Sequence, residues 1–156
     1  MRVCQKQKLP SVTTHCMETT MTDVAITAAN VAEGTGAQLG YGKAGAAITA
    51  GQSLYIDAAD SNKLKLADSD GAAALRECVG IALNSCASGQ RVTYQKGGEI
   101  TIGGTVVPGK VYVLSDTPGG IMPVEDLETG DYTSIIGVGK SSSVIVLHLF
   151  NSGCVN

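Results

Sequence analysis

The chain has no tryptophan and a single phenylalanine, Phe150, so its core must be built from Ala, Val, Ile and Leu with the help of five tyrosines. That scarcity weighs against two binding chemistries. Sugar-binding modules and single-strand nucleic-acid binders stack their ligands on aromatic rings, and here Tyr41, Tyr55, Tyr94, Tyr112 and Tyr132 are dispersed along the sequence. Apolar runs are short as well. None approaches the roughly 18 residues needed to cross a bilayer, and residues 1–20 hold no apolar stretch of signal-peptide length. Only two histidines are present, His15 in the first segment and His148 in the most apolar stretch. Neither sits in a pattern that pairs a nucleophile with a base, so His148 reads as a packed or interface residue.

Five cysteines, Cys4, Cys16, Cys78, Cys86 and Cys154, make an odd number at irregular spacing. Such usage points to a reducing compartment rather than a disulfide framework. His15-Cys16 with Cys4 lacks the paired spacing of a structural zinc site, and Cys78 and Cys86 read as small buried fillers. The Gly34–Gly42 stretch matches neither a phosphate loop nor a dinucleotide fingerprint and reads as a flexible turn. In the acidic stretch Asp57, Asp60, Asn62, Asp68 and Asp70, oxygen ligands raise the question of calcium, but the spacing fails the EF-hand pattern. Asp57 to Asn62 reads more simply as a turn capped by its own side chains. No catalytic residue, metal site or cofactor is expected.

Charge divides the chain. Residues 1–20 hold Arg2, Lys6 and Lys8 against Glu18 alone, which leaves 8 of the 11 cations and 13 of the 14 anions to the rest. That acidic balance argues against a nucleic-acid surface on the body. Residues 1–20 also carry Pro10 and a Ser/Thr-rich stretch. They read either as an extended N-terminal arm or as an upstream extension of a patterned region that opens at Met21.

Glycine is abundant, with 20 residues set between short apolar runs, the punctuation of a chain with many tight turns. The patterned runs predict strands at 24–26, 46–48, 53–56, 63–66, 79–83, 91–95, 99–102, 110–114, 121–124, 134–138 and 144–150. Helix is confined to two turns at 71–77 and about one at 125–129. Lys63 to Leu66 alternates polar with apolar, giving one wet and one buried face. Val144 to Phe150 is apolar on both faces, which marks Val144, Val146, His148 and Phe150 as candidates for a subunit interface; a strand enclosed within one chain reads equally well.

A faint repeat runs through the body. Leu54-Tyr55-Ile56, Leu64, Asp68 and Val79-Gly80-Ile81 recur 57 positions later as Val111-Tyr112-Val113, Ile121, Glu125 and Ile136-Gly137-Val138. The expected fold is therefore all-β, a compact sandwich or barrel of many short strands built from two related units. The body is expected over 21–156, with quasi-repeats at about 46–95 and 99–150, each too small to bury a core alone.

The wording of Ile48 to Asp57, Lys63 to Asp68, Val79 to Leu83 and Pro108 to Leu114, with the Met21 to Thr27 opening, resembles small proteins encoded near the capsid genes of tailed bacteriophages. These are capsid decoration, or cement, proteins. The resemblance covers residues 21 to about 150 and rests on turn and strand motifs. It implies a structural virion protein, homotrimeric, on the outer capsid surface, made in the host cytoplasm and clamping neighbouring major capsid protein subunits. It implies no enzyme, nucleic-acid, membrane or small-molecule substrate role. On this reading Arg2, Lys6 and Lys8 are the candidate capsid contacts. The alternative is a head-spike or fibre module binding host surface glycans, for which an exposed tyrosine cluster is the discriminating feature.

Overall fold

The computed structural model describes residues 22–156, so the arm with Arg2, Lys6, Lys8 and His15 lies outside the described residues. Ten strands are present: β1 (Val31–Glu33), β2 (Gln38–Lys43), β3 (Ser53–Asp57), β4 (Lys63–Leu66), β5 (Gly80–Ala82), β6 (Arg91–Ile102), β7 (Val111–Leu114), β8 (Ile121–Pro123), β9 (Tyr132–Gly139) and β10 (Val144–Val155). The fold is all-β, one antiparallel curled sheet in the order β4-β3-β5-β6-β10-β9-β7-β8, with β1 and β2 both paired to β6. Among the described residues helix is limited to short 3-10 turns. Ala73–Arg76 is one of them, where two α-helical turns were expected.

Local chemistry accounts for the sharpest corners. In the β3–β4 hairpin the Asp57 carboxylate accepts a bond from the Ala59 amide and caps the turn Ala58–Asp60. The chain then leaves through Ser61 and Asn62, both in the left-handed region, conformations that Asn tolerates better than most residues. In β4, Leu64 is buried while Lys63 and Lys65 keep partial access to water, the alternation its sequence dictates.

The two halves of the sheet are built alike. Leu54 pairs with Gly80 and Leu66 in the first half, and Tyr112 pairs with Gly137 and Pro123 in the second. Positions 80 and 137, like 66 and 123, are 57 apart, but 54 and 112 are 58 apart. The ladder therefore matches Leu54 with Tyr112 and Tyr55 with Val113, one step off the identity of Tyr55 with Tyr112. Gly80 and Gly137 serve the same purpose. A Cβ would stand 2.5 Å from the Gln95 carbonyl oxygen at Gly80 and 2.2 Å from the Val146 carbonyl oxygen at Gly137, so only glycine lets the next strand approach.

β6 joins the two halves. The expected strands at 91–95 and 99–102 are one strand, bulged at Lys96, because Gln38 and Leu39 of β2 pair with Gly97 and Gln95. One extra residue inverts the inside–outside alternation. Val92 and Tyr94 accordingly enter one core, while Ile100 and Ile102 enter another. The buried Gln95 side chain secures the bulge, its Nε2 donating to the Gly97 and Glu99 carbonyls.

The larger core lies inside the curl and gathers Tyr55, Ile81, Ile100, Ile102, Tyr112, Leu114, Ile121, Ile136, Ile145 and Leu147. The smaller one, with Ala44, Ile48, Leu54, Leu64, Ala82, Val92 and Tyr94, lies on the other face of β3 and β5. It is closed where β2 turns back on β4 through the parallel bridge Ala44↔Leu64 and the bond from the Gly45 amide to the Leu64 carbonyl. β5 and the Ser53-Leu54-Tyr55 part of β3 are thus buried on both faces, which explains their nearly continuous apolar character.

Two expected strands are absent as such. Residues 24–27 run irregularly, held by bonds from the Val24 amide to the Ile121 carbonyl and from the Thr27 amide to the Gly103 carbonyl, and Ile48 makes only an isolated bridge to Cys86. Conversely the Gly-rich stretch read as a flexible turn contains strand β2.

Candidate interaction faces

The outer face of β9 and β10 is assembled by alternation along β10, across a register shift against β9 between Leu147 and Phe150. Along β10, Ile145, Leu147 and Leu149 lie in or against the large core, and Val144, Val146, His148 and Phe150 occupy the opposite side, where Phe150 is 61% exposed. Val146 pairs with Val138 on β9 and with Glu99 on β6, and Phe150 pairs with Ile135. Val138 is 37% exposed. These side chains form an apolar row, and its polar flank is Glu99, which holds Lys140 in an ion pair. A shallow groove runs over the same face between Gln38, Lys96, Val146, His148 and Phe150. All four residues proposed for an interface from the sequence therefore share one face of one strand. The other side of the strand is core.

The remaining sequence candidates are dispersed. Asp57 and Asp60 are engaged by lysines: Lys65 Nζ lies 2.7 Å from Asp57 Oδ2 and 3.1 Å from Asp60 Oδ2, and Lys63 Nζ lies 2.8 Å from Asp60 Oδ1. The Lys65 bond holds Asp57 below the usual carboxylate range, and the Lys63 bond does the same for Asp60. Carboxylates neutralised in this way are poor cation ligands. Burial, with the neighbouring Asp70 and Asp116, pushes Asp68 up. Among the described residues no group of three His, Cys, Asp or Glu side chains is placed to hold a metal.

Cys78, Cys86 and Cys154 are free thiols. Cys78 lies in the large core, where burial pushes its thiol up to about 11, and Cys86 packs on the small one. Both are apolar fillers at neutral pH. Of the tyrosines, Tyr55, Tyr94 and Tyr112 are buried and Tyr132 lies under the Arg76 guanidinium, 3.3 Å from the ring centroid. Tyr41, 63% exposed, stands apart from them on β2.

Sequence reasoning passed over a second surface, the outward side of β2 with Tyr41 and Lys43 beside Arg91 of β6. Its signal was the alternation Leu39-Gly40-Tyr41-Gly42-Lys43, in which the glycines mask a period of two. No protein-family model matches the chain, and no curated protein matches it.

Proposed function

We propose that the chain is a structural virion protein that decorates the outside of a bacteriophage head as a homotrimer and bridges neighbouring major capsid protein subunits. The observation that carries this reading is the apolar row Val138, Val146 and Phe150 on the outer face of β9 and β10. A strand buried on one side and apolar on the other is suited to a second molecule, and exposed Phe is costly to keep in water without one. The resemblance to decoration proteins supports the same reading, since its motifs fall on β3, β4, β5 and β7, the strands of the doubled framework.

Bridging needs no chemistry beyond contact. Packed DNA pushes a head outward, and a trimer held at three points resists separation of its neighbours because detachment at one foothold leaves the other two in place. Binding is favoured only where the lattice presents all three footholds together. The segment with Arg2, Lys6 and Lys8 supplies the charged part of the grip on this reading. An exposed tyrosine cluster would favour the glycan-binding alternative, and Tyr41 is the one tyrosine that is well exposed.

The test is an image reconstruction of particles carrying the chain. The expected result is density for three copies around threefold or quasi-threefold positions on the outer head surface. Density confined to the tail or a fibre overturns the reading. In the same particles, deletion of residues 1–20 is expected to lower occupancy; unchanged occupancy removes the arm from the mechanism.

A further inference from the structure

From Leu39 to Lys43, β2 carries side chains on one side only. A Cβ at Gly40 would meet the Tyr94 ring at 2.4 Å and one at Gly42 the Leu64 side chain at 2.5 Å, so the inner side of the strand is bare backbone against the small core. On the outer side, Tyr41 stands opposite Thr93 and Lys43 directly opposite Arg91. Two like charges in one cross-strand pair destabilise a sheet. Lys63, Lys65, Lys110 and Lys140 each hold a carboxylate, whereas Lys43 and Arg91 make no ion pair among the described residues. Along its far edge β2 meets no strand among the described residues, apart from the bridge Ala44↔Leu64 just past its end. An unpaired strand edge is a template for another extended chain.

These observations converge on one occupant. We propose that the β2 edge takes up an acidic, extended segment of a partner protein, which adds as a further strand and sets its carboxylates against Lys43 and Arg91 beside the Tyr41 ring. Backbone bonds along the edge supply the affinity, and the uncompensated cation pair selects acidic sequences. An open strand edge suits a peptide better than a sugar, because only an extended backbone can match its evenly spaced amide and carbonyl groups in register. The surface is separate from the β9–β10 row, so the proposal stands or falls independently of the virion reading.

The test uses the full-length chain, 15N-labelled, free in solution and at low ionic strength. It is titrated with a short capped peptide alternating glutamate and threonine, with a lysine/threonine peptide and with sialyllactose. The expected result is a response to the glutamate peptide confined to the amides of residues 38–43 and 91–93. Lys43→Glu is expected to weaken that binding about tenfold through loss of charge pairing. It also turns a like-charge pair into an opposite-charge one, so its Tm should equal or exceed the original, which separates lost binding from lost folding. Silence of these amides at millimolar glutamate peptide, an equal response to the lysine peptide, or a response to sialyllactose alone overturns the proposal.

Discussion

Ile81 and Val138 occupy matching places in the two halves of the sheet, yet Ile81 is fully enclosed while Val138 is 37% exposed. Both pair with the strand that begins their half, Ile81 with Ser53 and Val138 with Val111. The difference arises in β6. Its bulge inverts the alternation between the halves, so equivalent side chains point to opposite faces of one continuous sheet. In the first half the large core and the small core that β2 and β4 close cover both faces up to Ile56 near the end of β3, which is 41% exposed. In the second half the face opposite the large core, over β9 and β10, is left to solvent. The same skeleton thus yields a self-sufficient half and a half with an unmatched apolar row, and the functional proposal rests on that asymmetry.

The comparison breaks most readily at its first pair. Ile81→Ala should cost about 3 kcal/mol through lost burial and a residual cavity, whereas Val138→Ala, made in a Val146→Asp/Phe150→Asp background that leaves the row to solvent, should fall within about 0.5 kcal/mol, as at an ordinary surface site. Urea unfolding followed by far-UV dichroism measures both, and equal losses would deny that the two faces differ. Next come the paired glycines. Gly80→Ala and Gly137→Ala each force a Cβ onto a backbone carbonyl, so each should destabilise by about 2–3 kcal/mol, lowering Tm by roughly 3 °C per kcal/mol for a chain of this size. Tolerance at one and not the other would end the structural equivalence of the halves.

Smaller effects sharpen it through charge. Asp57 and Asp60 have their pKa values lowered by Lys65 and Lys63. The stability they add is therefore complete above the unfolded value of about 4 and is lost as pH falls through their folded values. Lys65→Met should accordingly lower Tm at pH 6, and the difference from the parent chain should shrink only as pH falls below the unfolded value of about 4, read by calorimetry across that range. In the second half Lys110 is instead raised by its bond to Glu125, so its contribution persists through neutral pH and is lost only as pH climbs through the folded value. The smallest change is expected at Asp68. Its folded pKa is raised, chiefly by burial, so the ionised form is penalised at neutral pH and the penalty fades as pH falls through the folded value. Asp68→Asn should stabilise at pH 7 by less than about 1 kcal/mol, since solvent screens a partly exposed group, and not at all near pH 3.

Much of this fold could be read from strands that keep a strict period. Lys63 to Leu66 alternates and is β4; Val111 to Leu114 and Ile121 to Pro123 are nearly continuous apolar runs and are β7 and β8. Where glycine stands at the inward positions, as at Gly40 and Gly42, the period vanishes and the sequence of β2 reads as a turn. Gly97 and Gly98 misled in the other direction, suggesting a break where the chain only bulges and continues. The repeat was visible because apolar positions recur, but the shared tyrosine set the wrong register, since Tyr112 takes the place of Leu54. On β10 the alternation alone places Val144, Val146, His148 and Phe150 on one side, but not which side is core, because the cores on either side of a sheet are long-range properties that a local pattern does not carry. The cation pair Lys43 and Arg91 is of the same kind, 48 positions apart in sequence and opposite each other in the sheet.

The most direct measurement is the mass of the purified chain by light scattering, alongside Val146→Asp/Phe150→Asp. If the outer face of β9 and β10 holds neighbouring molecules together, the parent chain should have the mass of three copies and the double variant that of one, with unchanged far-UV dichroism. A parent chain that stays single at high concentration, or a variant that keeps the threefold mass, would contradict the account.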